Sequence, residues 1–426
     1  MKKALFFLFI FTIGSVLLAQ QRHEQDGFEY EVVDSRSVTI TGYTGNAITL
    51  NIPAQIQGLP VTAIGKEAFY YCMSLTSITI PSSVTSIGDW AFSGCMSLIS
   101  ITIPSSITSI SDYAFDSCIS LTSVTIPSSV TSIGNQVFHY CGSLTSITIP
   151  SSVTSIGRSS FSFCDSLTNI TVDSRNPAYA SIDGVLFDKS IRAIIAYPAG
   201  KIARTYTIPS SVTSIGNDAF AGCRSLASIT IPSSVTSIGD YAFSYCDSLT
   251  SITIPSSVTS IGSHAFARCS SLTSITIPSS VTSIVDYAFS YCSNLSNITV
   301  DNRNSAYASI DGVLFDKSIR TIIAYPVGKT TSTYTIPSSI TSIGYGAFDD
   351  CRSLTSIIIP SSVTSIGSRA FHGCSSLTSV TIPSSVTSIG DYAFSYCDSL
   401  TSVTLSRHTS VGERAFPETA RIIYRD

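Results

Sequence analysis

From Leu75 onward the apolar positions recur on a beat that fits neither one long helix nor a run of ordinary strands. Across residues 75–95 they are Leu75, Ile78, Ile80, Val84, Ile87, Ala91, Phe92 and Cys95, separated mostly by Ser and Thr. The spacing Leu-x-x-Ile-x-Ile predicts a short strand that turns Leu and Ile inward and Thr76, Ser77 and Thr79 outward. Pro81 ends that strand, because proline cannot donate to a ladder. Val84 and Ile87 return to the core, and Gly88 turns the chain. Ala91-Phe92 is expected on a short helical or irregular turn closed by Cys95. The unit returns along almost the whole chain: the twelve cysteines, at 72, 95, 118, 141, 164, 223, 246, 269, 292, 351, 374 and 397, step by 23 residues except for two steps of 59. A fixed period of this size marks a repeat solenoid with one stacked turn per repeat. A single unit buries too little to offset the ordering of its own backbone, so neighbouring turns must supply the rest.

Residues 20–64 leave the pattern and predict an N-terminal β cap. Phe28, Tyr30 and Val32 alternate with acids, Val38 and Ile40 with threonines, and Ile48, Leu50 and Ile52 with polar residues. The solenoid is expected over residues 65–404 and a C-terminal cap over 405–426, with a last strand at 422–424. That final stretch gathers Arg407, Glu413, Arg414, Glu418, Arg421, Arg425 and Asp426. Each 59-residue step holds a copy of one insert, NITVDSRNPAYASIDGVLFDKSIRAIIAYP at 169–198 and its near twin at 297–326. Asp183-Gly184 and Asp311-Gly312 lie between apolar runs and predict hairpin turns. The repeats at about 169–208 and 297–336 are therefore read as enlarged turns, each carrying a protruding hairpin, with the solenoid continuing through both. The turn glycine at 88, 134, 157 and later equivalents gives way to Ser111 and Val285 in two repeats. A β-branched residue at positive φ is costly, so that column is read as a demand for tightness.

Composition narrows the class. Charged residues are 12% of the chain and the formal charge is −4, so no basic surface of the kind nucleic acid requires is present. Residues 1–19 read as a secretory signal: Lys2 and Lys3, then an apolar stretch over 4–18, then Ala19 before an expected cut at Gln20. That stretch is too short for a membrane span, and no second apolar span follows, so the remainder is expected to be secreted or held at the cell surface without membrane insertion.

The unit LTSVTIPSSVTSIGDYAFSYC, seen at 377–397, resembles the 23-residue leucine-rich repeat of the BspA-like bacterial cell-surface family. The insert residues Asn176, Tyr179, Ser181 and Asp183–Phe187, and the opening Phe28-Glu29-Tyr30-Glu31 leading to Gly58-Leu59-Pro60-Val61, are similar to elements of the same family. The resemblance implies a curved leucine-rich-repeat solenoid, with strands on one face and short irregular or helical turns on the other. It further implies a role in adhesion to host matrix proteins or other cells, and it brings no catalytic residues and no cofactor.

The candidate chemistry is sparse. All twelve cysteines fall at one inward position with parallel side chains, which favours free buried thiols over bridges even in an exported chain. Zinc needs convergent ligands such as Cys-x-x-Cys pairs, which are absent. The histidines read as surface substitutions, and no serine has a base and orienting partner visible beside it. Asp173, Asp183, Asp188 and their twins Asp301, Asp311 and Asp316 lack a calcium-loop spacing and read as turn formers. Two surfaces remain for recognition. One is the Ser/Thr strand face. The other is the segment around Ala-Phe and before Cys, where repeats differ and where Tyr70, Tyr71, Trp90, Tyr113, Tyr140, Tyr241, Tyr245, Tyr287, Tyr291, Tyr392 and Tyr396 gather. Partly exposed aromatics are common interface anchors, although the same rings also serve simply to cover a core. The resulting expectation is a non-enzymatic surface protein that binds a protein or other cell-surface macromolecule. A self-associating surface layer, or a carbohydrate- or ice-facing Ser/Thr lattice, stands as the alternative.

Overall fold

The computed structural model describes residues 23–425; the expected signal segment lies outside the described residues. Each repeat is one turn with three sides. The first side is the expected strand, Ser77–Thr79 in the first full turn, which pairs in parallel and in register with Ser100–Thr102 one turn on. The second is a strand of only two residues, such as Ser109–Ile110, which pairs in parallel with Ser132–Ile133. The repeat pattern predicts Ile87 and its equivalents in the core, as observed, but carries no sign of this second ladder. The third side is an edge of linked reverse turns, and no helix occurs among the described residues. Gly88 does not have a left-handed φ; a Cβ there would lie 2.7 Å from the Lys66 nitrogen. Close approach between turns is what that column demands.

The hydroxyls do more than face water. Thr131 Oγ1 donates to the Thr108 carbonyl at 3.2 Å, Thr122 Oγ1 to the Ile99 carbonyl at 3.1 Å, and Ser129 Oγ to the Ile107 carbonyl at 2.7 Å. Serine and threonine thus add side-chain bonds between turns to the backbone ladders.

Inside, Phe69, Phe92, Phe115, Phe138 and Phe161 stack face to face at 5.2–6.0 Å between ring centres. Beside them the thiols form a second column: Cys95 Sγ donates to the Phe69 carbonyl at 3.1 Å and Cys118 Sγ to the Phe92 carbonyl at 3.2 Å. All twelve cysteines are free, and only Cys72 is less than fully buried. Burial pushes the thiols of Cys118, Cys141 and Cys223 far up and that of Cys164 up to about 12.

The inserts do not protrude. In the first, strands Tyr179–Ile182 and Val185–Asp188 form an antiparallel hairpin through Asp183 and Gly184, whose φ values of 50° and 76° suit a type I′ turn. The hairpin lies between two turns, with Val185, Leu186 and Phe187 each wholly buried. Leu186 joins the core before it, while Val185 and Phe187 join the core after it, so the hairpin is a partition. The repeated polar residues of the insert secure it. Asn176, itself buried, donates to the carbonyls of Pro150 and Val153 and accepts from the amides of Ala178 and Tyr179, each at 2.8 Å. Tyr179 Oη accepts from the Ile156 amide at 2.8 Å, and the Gly184 carbonyl accepts from the Ile170 amide at 3.0 Å. The second insert repeats this arrangement through Asn304 and Tyr307. The solenoid therefore has three successive cores, and the ring stack restarts after each insert on Tyr197 and Tyr325.

At the N-terminal end, strands His23–Gln25, Phe28–Val33, Ser37–Tyr43 and Leu59–Ile64 form a mixed sheet that leads into Ser86–Ile87. Phe28 and Tyr43 cover Phe69 at the end of the ring stack. Leu50 and Ile52 are buried as their alternation predicts, whereas Ile48 precedes the strand Thr49–Asn51 and is 65% exposed. At the other end the strand Arg421–Arg425 adds to the first ladder beyond Ser402–Ser406.

The thiol column yields a direct test. In the folded protein a thiol reagent should modify no cysteine faster than Cys72. After denaturation without reductant all twelve should react; a smaller number would mean that some are bridged.

Candidate functional site

The turn edge is built from three overlapping reverse turns per repeat. In one repeat the Ala91 amide bonds the Gly88 carbonyl at 3.3 Å, Ser93 bonds Trp90 at 3.1 Å, and Cys95 bonds Phe92 at 3.2 Å. The intervening amides point along the axis: Trp90 donates to the Asp112 carbonyl at 3.0 Å, and Phe92 and Gly94 to the carbonyls of Ala114 and Asp116 at 2.9 Å. The first and third turns each require positive φ at their third residue. Trp90 has φ of 60° and Gly94 of 72°, which rules out a helix here.

Of the eleven aromatics singled out from the sequence, all but Tyr70 occupy one of these two left-handed positions. Tyr71, Trp90, Tyr113, Tyr140, Tyr241, Tyr245, Tyr287, Tyr291, Tyr392 and Tyr396 have φ between 54° and 62°. A residue with a side chain costs about 1 kcal/mol more than glycine in that conformation. Glycine does stand at these positions, at 94, 222 and 373 in the third turn and at 346 in the first. The axial hydrogen bond, with a net worth of about 1 kcal/mol, offsets the strain.

Along the axis the rings form two rows. In the first, Trp90 stacks on Tyr113 at 3.9 Å, and further on Tyr241 stacks on His264 at 4.6 Å, which leads to Tyr287 and Tyr345 at 4.9 Å each. In the second, Tyr140 stacks on Phe163 at 4.7 Å, Phe163 meets Tyr245 edge-on at 5.1 Å, and the Arg268 guanidinium lies over Tyr245 and Tyr291 at 5.0 and 4.7 Å. Tyr71 joins Tyr70 and Trp90 near the N-terminal end; Tyr392 and Tyr396 lie apart beside Arg369 and His372. Stacked faces are covered, so the rows present ring edges and phenol groups. Burial raises the pKa of Tyr140, Tyr241 and Tyr291; like any tyrosine they are hydrogen-bond donors at neutral pH.

The inserts bring parts of these rows together. After Ser155–Ile156, whose Ile156 amide donates to Tyr179 Oη, the first insert adds the strands Tyr179–Ile182, Val185–Asp188 and Ala193–Ala196 to the sheet that continues into Ser214–Ile215. On the turn edge, residues 59 apart meet directly: Ser159 Oγ donates to Asp218 Oδ2 at 2.5 Å, and Arg224 reaches Asp165 at 3.3 Å. The stack is thus wedged open on the ladder side and closed on the edge side. The resulting groove is lined by Tyr113, His139, Tyr140, Phe163, Tyr241 and Tyr245, with Asp218 and Asp240 between them. Burial raises the pKa of Asp218 against the hydrogen bond from Ser159. At the second insert Tyr287 and Tyr345 pack together over Gly346.

Sequence reasoning missed some neighbours. His139 and His372 are not simple surface substitutions: each is half-buried and bonds an aspartate of the preceding turn, His139 Nδ1 to Asp116 Oδ1 at 2.8 Å and His372 Nδ1 to Asp349 Oδ1 at 2.9 Å. The aspartate lies one period before the histidine in both cases, so the pairing was open to the eye. Ser93 also bonds Asp116, at 3.3 Å, but serine and histidine share the carboxylate and do not bond each other, so no activated nucleophile results. Among the described residues no cluster of three or more His, Cys, Asp or Glu could hold a metal ion. Asp173 bonds Arg175 at 2.8 Å, and Asp188 accepts from the amides of Arg192 and Ala193, as expected of turn-forming residues.

A sequence profile for the BspA type leucine rich repeat region matches six copies, over residues 62–191, 199–320 and 327–424. No curated protein matches the chain. Among solved structures, a leucine-rich repeat protein from Eubacterium ventriosum is 26% identical over 87% of this chain and 93% of its own, with a TM-score of 0.50. A leucine rich cell surface protein from Faecalibacterium prausnitzii is 28% identical over 95% of each chain, with a TM-score of 0.38. The pneumococcal vaccine antigen PcpA, 19% identical over 96% of this chain and 99% of its own with a TM-score of 0.58, shares the fold.

The left-handed column invites a stability test. Tyr396 is 68% exposed at φ 57°. Tyr396→Gly should leave thermal stability unchanged or raise it by about 1 kcal/mol, whereas Tyr396→Val should lower it by about 1–2 kcal/mol. Calorimetric melts of the two variants check the ordering.

Proposed function

The chain belongs to the BspA-type leucine-rich repeat family, and on that footing we propose that it is a non-enzymatic, exported binding protein of the bacterial surface. Its aromatic turn edge captures a macromolecule of a host matrix or of another cell's surface. The observation that carries this reading is the placement of ten half-exposed or exposed aromatics at left-handed positions where glycine would cost less. Stacking within the rows offsets part of that strain, yet it leaves ring edges facing outward, and interface anchors are rich in tyrosine and tryptophan. The edge is also where repeats differ, so it can distinguish partners. The groove at the first insert gathers Tyr113, Tyr140, Tyr241 and Tyr245 within one concave patch, the shape that lets anchors exclude water. The Ser/Thr faces support the lattice alternative poorly, because many of their hydroxyls are already committed to carbonyls of the preceding turn.

Binding of the purified chain to immobilised matrix proteins and to whole bacteria checks the proposal. The triple variant Tyr140→Ala, Tyr241→Ala, Tyr245→Ala should weaken capture at least about tenfold while remaining folded. Capture at wild-type strength by the folded variant would remove the edge from the account.

A further inference from the structure

The first ladder breaks at each insert. Asn169–Val172 ends one sheet and Thr205–Thr207 starts the next. The Asp183-Gly184 turn stands at the break, where the Gly184 carbonyl takes the Ile170 amide. An open cavity of about 450 Å³ lies there, lined by Val185, Tyr197, Ile202, Ala203 and Tyr206, with Asp183 and Lys201 also bordering it. That volume falls in the range of small-molecule sites, which are likewise apolar in the main with a few polar groups. Two features set this cavity apart. Tyr197 is 5% exposed, yet its Oη has no hydrogen-bond partner among the described residues, and an unpartnered buried hydroxyl is costly. Ile202, by contrast, is 87% exposed, a large apolar side chain with nothing over it. The second insert shows what else the same backbone can hold. There Tyr325, buried to the same degree, shares a hydrogen bond of 2.8 Å with Thr331 through its Oη. Thr330 and Thr331 stand where the first insert has Ile202 and Ala203, while Asp311, Val313, Lys329 and Tyr334 repeat their counterparts. The first insert therefore has two apolar side chains in place of two hydroxyls, and its phenol lacks the partner its twin has.

We propose that this cavity binds a small, neutral, largely apolar molecule, the size of one substituted aromatic ring, that offers a carbonyl or ether oxygen to the Tyr197 hydroxyl. The ring of Tyr206 and the side chains of Val185, Ile202 and Ala203 supply the apolar surface. Water gains little on such walls, because it needs several polar partners, so its displacement favours the ligand. The ligand is neutral because its mouth carries one charge of each sign: an anion meets Asp183 and a cation meets Lys201. An apolar wall also disfavours either charge. None of the aromatics of the turn edge takes part, so this site stands or falls apart from the capture of a macromolecule.

Fluorine NMR of para-fluoroacetophenone added to the purified chain reads the site. Saturable binding at one site is expected, with a Kd of about 1 mM or tighter for a molecule of this size. Ala203→Thr gives Tyr197 the partner that Tyr325 has, and it should weaken binding at least about tenfold without lowering the melting temperature. Ala203 is exposed, so this variant keeps the fold. Tyr197→Phe should weaken binding of the ketone about fivefold, the worth of one hydrogen bond, and leave para-fluorotoluene unaffected. Conversely, Thr330→Ile with Thr331→Ala should raise the number of sites from one to two. A wild-type chain without saturable binding would overturn the proposal, as would an Ala203→Thr chain that binds the ketone at wild-type strength. Full binding of the ketone by folded Tyr197→Phe would overturn it as well.

Discussion

The hydrogen bond that passes from one turn to the next, between partners about one 23-residue period apart, is the contact on which everything else in this molecule depends. It occurs on all three sides. The first ladder joins Ile78 to Ile101, the second joins Ile110 to Ile133, and the turn edge joins the Phe92 amide to the Ala114 carbonyl. Threonine and serine hydroxyls bond neighbouring carbonyls, and the buried thiols reach the carbonyl of the ring residue in the turn before, phenylalanine in most turns and Tyr197 or Tyr325 after an insert. Because the same bond recurs in the same place, the side chains must recur as well. Phenylalanine stacks on phenylalanine and cysteine follows cysteine, and most of the sequence is accounted for by that one constraint. What the stack leaves free is the outward side of the edge.

The same constraint explains what the inserts do. A continuous column has no reason to stop, yet this one is cut twice by a hairpin whose opposite faces feed different cores. Asn176 and Asn304 tie each hairpin to the turn before it with four hydrogen bonds apiece, so the partition is as firmly held as the turns themselves. The first hairpin adds strands to the second ladder while residues 59 apart meet on the edge, and there Tyr113, Tyr140, Tyr241 and Tyr245 line one groove. Structure and recognition meet there: a local insertion on one side creates a concave surface on another.

How much of this was legible follows from the same physics. The solenoid, its period and its inward positions could be read directly, since burial recurs with the sequence. The second ladder could not, because two residues, Ser and Ile, fall below the length at which strand periodicity shows. The hairpins were taken as protruding on the strength of their Asp-Gly turns. The unbroken Val185-Leu186-Phe187 run was the contrary sign, since a strand apolar on both faces is one buried on both faces. The left-handed edge was hidden for another reason. Tyrosine, tryptophan, serine and arginine are not residues from which positive φ would be guessed, and only the axial bonds hold them in it. The candidate aromatics were found because the edge varies from repeat to repeat. Phe163 meets Tyr245 and Tyr287 meets Tyr345 across an insert, 82 and 58 residues apart, which the 23-residue period hides, whereas His264 and Arg268 lie one period from Tyr287 and Tyr245 and were open to the eye.

Native-state hydrogen exchange at the turn edge tests the governing idea most directly. If the edge is held by bonds between turns, the amides of Trp90, Phe92 and Gly94 open only when neighbouring turns separate. Their protection should then match that of the strand amides of Ile78 and Ile101 to within about tenfold. Edge amides that exchange as in an unstructured peptide, while the strands stay protected, would contradict it.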